Sequence, residues 1–226
     1  MTTTTPRPRS AGSVRTRLTR LAERLTTPLL PEDYLDVIDP LLSDKHLRGR
    51  IVAIHPETRD AVTLVIKPGN TWRPHTPGQY LRLGVEVDGV RQWRSYSLTS
   101  RAGRPDRCVS ITVKAVPDGL VSNHLVRRAT VGTIVHLDQA AGEFTLGSRV
   151  PARMLFLTAG SGITPVMGML RNLDPENACD IVVVHSAPSA EDVIFSGELR
   201  MLAERGRIRL IEIHTGTEGR LDVEHL

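Results

Sequence analysis

Two short motifs combine residue types that can hold a redox cofactor. The first is Arg94, Ser95, Tyr96 and Ser97, which brings a cation, an aromatic face and hydroxyl groups to the end of a strand-like run. A flavin dinucleotide needs a cation for its pyrophosphate, an apolar or aromatic face for its rings and a proton donor beside its N5 atom. Because strand neighbours alternate faces, Arg94 and Tyr96 point one way and Ser97 the other. A twist or bulge at the strand end must therefore bring them to one ligand.

The second motif, Gly160–Pro165 (GSGITP), follows the apolar run Met154–Thr158 and precedes a predicted helix. Two glycines alone are a weak signal, but a strand before them and a helix after them are typical of a dinucleotide-binding turn. Gly160 and Gly162 would let the backbone approach a ligand, and Thr164 offers a hydroxyl where two cofactors would meet. The alternative is a purely structural turn. Two cofactor sites in series indicate electron transfer.

A third segment, Gly119–Leu125, places Gly119 and Ser122 at the start of a predicted helix. Free N–H groups and the helix dipole attract phosphate at such a position. The segment therefore predicts a second group of phosphate contacts beside the first motif.

Composition excludes several other classes of protein. The net charge of +4 is spread along the chain without an aromatic-interleaved basic patch, so nucleic acid is not an expected partner. No apolar stretch approaches the ~18 residues of a membrane span, and no secretory signal is visible, so a cytoplasmic location is expected. Cys108 and Cys179 cannot ligate an iron–sulfur cluster alone, since about four thiolates are needed. We expect both to be small buried core residues and predict no metal site.

The N-terminal region, residues 1–43, reads as a basic extension. Residues 1–12 are expected to be disordered, and apolar positions between Val14 and Leu25 form one helical stripe opposite Arg17, Arg20 and Arg24. Such a helix can dock on its own protein, act as a transit-like segment, or make peripheral contact through residues 14–25 with an anionic membrane at its inner face. A second short helix is expected up to Leu42.

The remaining chain divides into residues 44–150, with turn-rich β runs, and residues 151–226, where strands alternate with helices. The fold class is mixed β and α/β: a six-stranded antiparallel barrel, then an incomplete doubly wound parallel sheet. Helices are predicted near Leu120–Arg128, Pro165–Leu173 and Glu191–Arg205. The predicted strands are Gly49–Ile54, Ala61–Ile66, Tyr80–Val85, Trp93–Thr99, Cys108–Val113, Ile134–Leu137, Met154–Thr158, Ile181–His185 and Ile208–Ile213.

The order of these motifs resembles the ferredoxin–NADP reductase family, and more narrowly reductases that supply iron–sulfur proteins, desaturases and hydroxylases. Pro77–Leu81 precedes the first motif, Val113 and Lys114 follow it, and Gly142–Phe144 comes before the second. The resemblance covers about residues 47–215. It implies FAD as cofactor, NADPH or NADH as electron donor, and a ferredoxin-type partner whose 2Fe–2S centre lies on another protein or a missing C-terminal domain.

The resemblance also implies roles for individual residues. Arg94 would hold the FAD pyrophosphate, Tyr96 would lie against the isoalloxazine, and Ser97 would sit by N5, with Tyr96, Ser97 and Thr164 as the catalytic set. Ser95 belongs to the same motif. Phosphate contacts would come from Gly119, Val121 and Ser122; flavin-edge or backbone contacts from Gln79 and Lys114; and nicotinamide contacts from Gly160, Gly162, Thr164 and Pro165.

Two points depart from the family pattern. Pro188 stands near Ser186, where family members that prefer NADPH often place an arginine, so the choice between NAD and NADP stays open. His185 is expected to be a structural residue. The family's Cys-Gly-Pro turn and its last strand and helix are not found before Leu226. We therefore expect a C-terminally truncated chain, in which flavin binding survives better than nicotinamide binding.

Two other functions remain open. One is a flavin-binding electron-transfer subunit without its own nicotinamide site. The other is a non-catalytic fragment that needs a partner, for which exposed apolar surface at the cut edge would be the mark.

Overall fold

Two β-sheets of different types organise the chain in a computed structural model that describes residues 39–42, 46–147, 150–174 and 179–220. The predicted helix at residues 14–25 lies outside the described residues, as does most of the predicted segment leading to Leu42. Within the described ranges, no helix is long and apolar enough to cross a membrane. The same ranges contain no group of three or more side chains placed to hold a metal ion.

The first sheet is antiparallel, and apolar residues of its strands form its core. The strands are β1 Arg48–Thr58, β2 Ala61–Pro68, β3 Tyr80–Val87, β4 Val90–Ser97, β5 Val109–Lys114 and β6 Ile134–Leu137. They lie in the order β4-β3-β6-β1-β2-β5. Helix α1, Leu120–Arg127, comes between β5 and β6 along the chain. Ile51, Leu64, Leu83 and Ile111 are fully buried in the core.

A two-residue hairpin turn sets the register of β4. Asp88 and Gly89 have φ angles of 51° and 77°, as a type I′ turn requires at both central positions. Val87 then pairs with Val90, Leu83 with Arg94 and Leu81 with Tyr96. This local turn therefore decides which face of β4 each residue of the first motif occupies.

The predicted six-stranded antiparallel arrangement is confirmed, but the sheet does not close into a continuous barrel. Its edge strands β4 and β5 meet only through a bridge between Leu98 and Ile111, next to which Thr99 N–H donates to the Ser110 carbonyl at 2.8 Å. After Thr99 the chain turns away from β5, so the two edge strands form no continuous ladder of hydrogen bonds. The outer edge of β4 ahead of this bridge is therefore free to face a ligand.

The second sheet is parallel. Its strands are β7 Arg153–Ala159, β8 Asp180–Ala187 and β9 Arg209–His214, in the order β7-β8-β9, and a short helix α4, Thr215–Glu218, follows β9. Helices α2 (Ile163–Leu170) and α3 (Ser196–Glu204) pack in one cluster with Phe156 and Val183. On the other face, Leu155 and Leu157 are 56% and 50% exposed.

Arg171, just after α2, joins the two sheets. Its Nη1 donates to the Thr99 carbonyl at 2.7 Å, and its Nε donates to Glu198 Oε1 at 2.9 Å. The guanidinium also lies 4.9 Å from the ring centre of Phe195. Gly168 adds a close backbone approach, because a Cβ there would lie 2.3 Å from the Leu98 carbonyl oxygen. These contacts hold α2 against the end of β4.

The helix predicted near Pro165–Leu173 is present, but it begins two residues earlier and ends at Leu170. Two other predictions of local detail were wrong. The helix predicted at Glu191–Arg205 is split, because Phe195 has a φ of 63° between the 3₁₀ turn Ala190–Asp192 and α3. Cys108 and Cys179 are free thiols that are only half-buried, because each lies just outside a strand rather than within the core.

Candidate functional site

A cleft of about 460 Å³ lies at the end of β4, between the first sheet and the start of α2. Both predicted cofactor motifs contribute to it. The predicted site residues that line this cleft are Arg94, Ser95, Tyr96, Ser97, Lys114, Gly119, Val121, Ser122, Gly162, Thr164 and Pro165.

The end of β4 presents both of its faces to the cleft. Arg94 and Tyr96 alternate with Ser95 and Ser97, yet all four line it. Since β4 pairs along its length with β3 alone, the other edge of its backbone faces away from the sheet. The unpaired edge at the end of β4 therefore lets all four residues reach one cleft, although their side chains alternate between the two faces of the strand.

Arg94 and Tyr96 give the cleft a cation and a neutral aromatic ring. The Arg94 side chain is exposed, and its Nη1 donates to the Trp93 carbonyl at 2.7 Å, which leaves its other N–H groups for a ligand. Burial raises the pKa of Tyr96 to about 12, against a smaller lowering by Arg94. The phenol therefore stays uncharged at neutral pH.

The N-terminus of α1 supplies backbone donors. Gly119 is the N-cap and has no side chain to cap the helix, and the first turn carries no acidic residue. Ser122 Oγ donates to the Gly119 carbonyl at 3.2 Å. The first N–H groups of a helix have no partner within it, so they are available to an anion, and the dipole favours one there.

Lys114 is partly neutralised before any ligand binds. Its Nζ lies 2.6 Å from Asp60 Oδ1. Burial raises the pKa of Asp60, but hydrogen bonds from Lys114 and Thr58 and the charge of Lys114 outweigh burial, and the pKa is lowered. The carboxyl is therefore ionised at neutral pH and shares the charge of Lys114.

The glycine turn before α2 is open towards the cleft. Gly160 has a φ of 50°, a conformation that favours glycine. A Cβ on Gly162 would meet nothing within 4 Å, so there is room for a ligand beside the backbone. Thr164 is buried, and its Oγ1 donates to the Ser161 carbonyl at 2.9 Å, which fixes the hydroxyl at the helix start.

Two predicted residues lie outside the cleft lining in the described structure. The Gln79 side chain accepts from Thr76 N–H at 2.9 Å and donates to the Gly142 carbonyl at 3.3 Å, so it braces the loop before β3. Gly160 forms the turn but does not line the cleft.

Sequence reasoning missed four lining residues: Thr112, Val116, Leu120 and Ser161. Thr112 is two residues from Lys114 on the same face of β5, and Ser161 lies between the two predicted glycines. These positions, next to predicted site residues, could have identified Thr112 and Ser161 from the sequence. Nothing in the sequence marked Val116.

His185 is a buried structural residue, as its position predicted. It is fully buried, and its Nδ1 lies 2.8 Å from Thr158 Oγ1. Burial lowers its pKa despite the opposing charge of Glu212, so the imidazole is neutral at neutral pH. Both residues lie on the helix-covered side of the second sheet.

The donor set of the cleft fits a flavin dinucleotide. The charged side chains in its lining are Arg94 and Lys114, and both are cations. Free helix N–H groups, a half-buried tyrosine and open space at Gly162 complete the set. Diphosphate and aromatic rings are the two chemical classes that such a lining accommodates.

Family models match both halves of the chain. Residues 51–146 match an oxidoreductase FAD-binding domain, and residues 156–222 match an oxidoreductase NAD-binding domain. The chain belongs to the ferredoxin–NADP reductase family. As a member of this family, it carries one domain of the FAD-binding type and one of the NAD-binding type, in the predicted order.

Individual relatives agree with the family. An "NADPH oxidoreductase" of Mycobacterium tuberculosis is 48% identical over 98% of this chain and 61% of its own length. A "3-ketosteroid-9-alpha-monooxygenase, ferredoxin reductase component" of Mycolicibacterium smegmatis is 36% identical over 78% of this chain and 51% of its own length. This member of the ferredoxin–NADP reductase family thus spans about half to three-fifths of the length of these relatives.

A solved family structure shows the same fold with cofactors. The ferredoxin–NADP⁺ reductase of Neisseria gonorrhoeae, with bound FAD and NADP, superposes with a TM-score of 0.65 at 25% identity, over 78% of this chain and 70% of its own. The likeness includes both sheets of the ferredoxin–NADP reductase fold.

Proposed function

We propose that this protein is a flavoprotein reductase that passes electrons from NAD(P)H through FAD to a ferredoxin-type iron–sulfur centre. Residues 44–150 would form the FAD-binding unit and residues 151–226 the NAD(P)-binding unit. The observation that carries the proposal is that Tyr96 and Ser97 of one motif and Gly162 and Thr164 of the other line a single cleft.

Each residue has a task that its position allows. Arg94 and the N–H groups at the start of α1 would bind the pyrophosphate, and neutral Tyr96 would lie against the flavin rings. Ser97 would hold a hydroxyl near N5, and Thr164 would position the nicotinamide. FAD, when bound, accepts a hydride and gives up single electrons.

The proposed electron acceptor is supported by the cysteine content of the chain and by the relatives. Cys108 and Cys179 are too few to ligate a 2Fe–2S cluster, so that cluster would belong to a partner or a further domain. The relative named as a ferredoxin reductase component of a monooxygenase supports a ferredoxin-type acceptor that serves a monooxygenase. A desaturase or hydroxylase as the final acceptor stays a prediction of the sequence. A cytoplasmic location and membrane contact through residues 14–25 stay predictions of the sequence.

An anaerobic NADPH titration of the FAD-reconstituted protein tests the proposal, with the flavin absorption band as readout. NADPH is tried first because the 48% identical relative is named an NADPH oxidoreductase. We expect the band to bleach at stoichiometric NADPH. A flavin spectrum that neither NADPH nor NADH bleaches would contradict the nicotinamide role and leave a flavin-binding electron-transfer module.

A further inference from the structure

A second, smaller cavity lies apart from the cofactor cleft and shares none of its lining residues. Its volume is about 80 Å³, which admits a small ion and excludes a nucleotide. Trp72 and His75, from the connection between β2 and β3, form one side. Arg101, Arg104 and Arg107, from the connection between β4 and β5, form the other. Neither connection was assigned a role by the sequence motifs.

The charge around this cavity is positive. Arg104 is paired with Asp106, with Nε donating to Oδ1 at 2.9 Å. Arg107 reaches only the side chain and carbonyl of Asn70, at 3.4 and 3.3 Å, which are long for hydrogen bonds. The negative charge of Asp106 thus offsets the positive charge of one of the three guanidinium groups. Lys67, which donates to the Asp106 carbonyl, adds a further positive charge.

The remaining guanidinium and the thiol do not reduce this positive charge. Arg101 uses its Nε to donate to the Arg171 carbonyl at 2.6 Å; that partner is uncharged, and the terminal nitrogens of Arg101 can still donate. The Cys108 thiol adds no negative charge, since burial and the nearby Asp106 raise its pKa.

His75 forms a buried, neutral wall beside this cationic rim. The residue is 5% exposed, and its Nε2 lies 3.3 Å from the Ser100 carbonyl. Because a carbonyl can only accept, the ring proton sits on Nε2, and burial, which lowers the pKa of His75, keeps the ring neutral. The ring therefore adds no charge that would offset or reinforce the guanidinium groups.

We propose that this cavity is a binding site for an inorganic oxyanion of the phosphate type, which ties the connection at Trp72–His75 to the one at Arg101–Cys108. Such an ion offers several acceptor oxygens for the guanidinium groups that line the cavity. Guanidinium and phosphate oxygens form short charge-assisted hydrogen bonds. Hydrogen phosphate and sulfate share this charge and shape, so both are expected to bind.

The test is a calorimetric titration of the FAD-loaded protein with inorganic phosphate, since bound FAD blocks the phosphate contacts of the cofactor cleft. Arg107 has a φ of 57°, so Arg107→Asn removes the charge with a residue that tolerates this backbone. Arg101→Gln is a second variant should the first fold poorly. The matched control is Arg91→Asn, an exposed arginine on β4 outside the cavity.

We expect phosphate affinity to fall about tenfold or more in Arg107→Asn and Arg101→Gln, as the loss of a charge-assisted hydrogen bond predicts, and to be unchanged in Arg91→Asn. Sulfate should bind the parent protein and lose affinity in the same two arginine variants. Equal phosphate affinity in all variants, or no phosphate binding, would overturn the site.

Discussion

Arg91 and Arg94 show how position decides the role of a single charge. Both are exposed on β4, but Arg94 lines the cofactor cleft and Arg91 does not. The charged side chains of the cleft lining are Arg94 and Lys114. Because Lys114 already pairs with Asp60 at 2.6 Å, Arg94 is the cation that is more available to a pyrophosphate.

We therefore expect Arg94→Ala to weaken FAD binding at least about tenfold, because hydrogen bonds to a charged group contribute about 1.5–3 kcal/mol. Fluorescence titration of the apoprotein with FAD measures this affinity. Arg91→Ala is the matched control on the same strand and should bind FAD like the parent protein. An equal loss in both variants would mean that only the net charge matters.

Tyr96 should titrate at a higher pH than an ordinary tyrosine, whose pKa is about 10. Burial raises its pKa to about 12, so the folded state holds this proton more tightly than the unfolded state. The contribution to stability is complete below about pH 10 and is lost as the pH rises towards about 12. Phenolate absorbance, compared between the parent protein and Tyr96→Phe, should show a missing step near pH 12. A missing step near pH 10 would contradict the burial argument.

At the scale of elements, α2 is held against the first sheet by a glycine. A Cβ on Gly168 would lie 2.3 Å from the Leu98 carbonyl oxygen, whereas a Cβ on Gly197, in α3, would meet nothing within 4 Å. Both glycines lie within helices, so they carry a similar intrinsic cost relative to alanine. The difference between them is therefore one of packing.

Gly168→Ala should lower the free energy of unfolding by about 1–3 kcal/mol, because overpacking against the backbone outweighs the better helix propensity of alanine. Gly197→Ala should leave stability unchanged or raise it by up to about 1 kcal/mol. Urea denaturation of the two variants measures both effects. A Gly168→Ala variant as stable as the parent would show that α2 can move away from β4 without cost.

At the scale of the whole molecule, the cleft exists only because the two sheets are held together. Arg171 donates hydrogen bonds to the Thr99 carbonyl, which follows β4 of the first sheet, and to Glu198 in α3, which packs on the second sheet. The predicted flavin contacts lie almost entirely on the first sheet and α1, while the predicted nicotinamide contacts precede α2. Loosening this junction should therefore affect electron transfer more than flavin binding.

In Arg171→Ala we expect FAD affinity close to that of the parent and flavin bleaching by NADPH slowed about tenfold to a hundredfold, as a misplacement of about 1 Å would produce. Stopped-flow absorbance measures the rate. Arg153→Ala, at the start of β7, serves as the control and should react at the parent rate. A loss of FAD affinity that equals the loss of rate would argue against a junction acting on geometry alone.

The sequence by itself determined most of the strands and the order of the two sheets, and it predicted the cofactor residues, because these depend on short-range properties. Short β runs broken by Gly, Pro and Asp marked the strands of the first sheet. Only the tertiary structure decided which residues share the cleft. It placed Gln79 and Gly160 outside the cleft lining and added Thr112, Val116, Leu120 and Ser161. It also left the first sheet open at β4, split a helix at Phe195 and half-exposed both cysteines. The cleft lies where the two sheets pack through Arg171 and Gly168, and packing between distant segments has no signature in local periodicity.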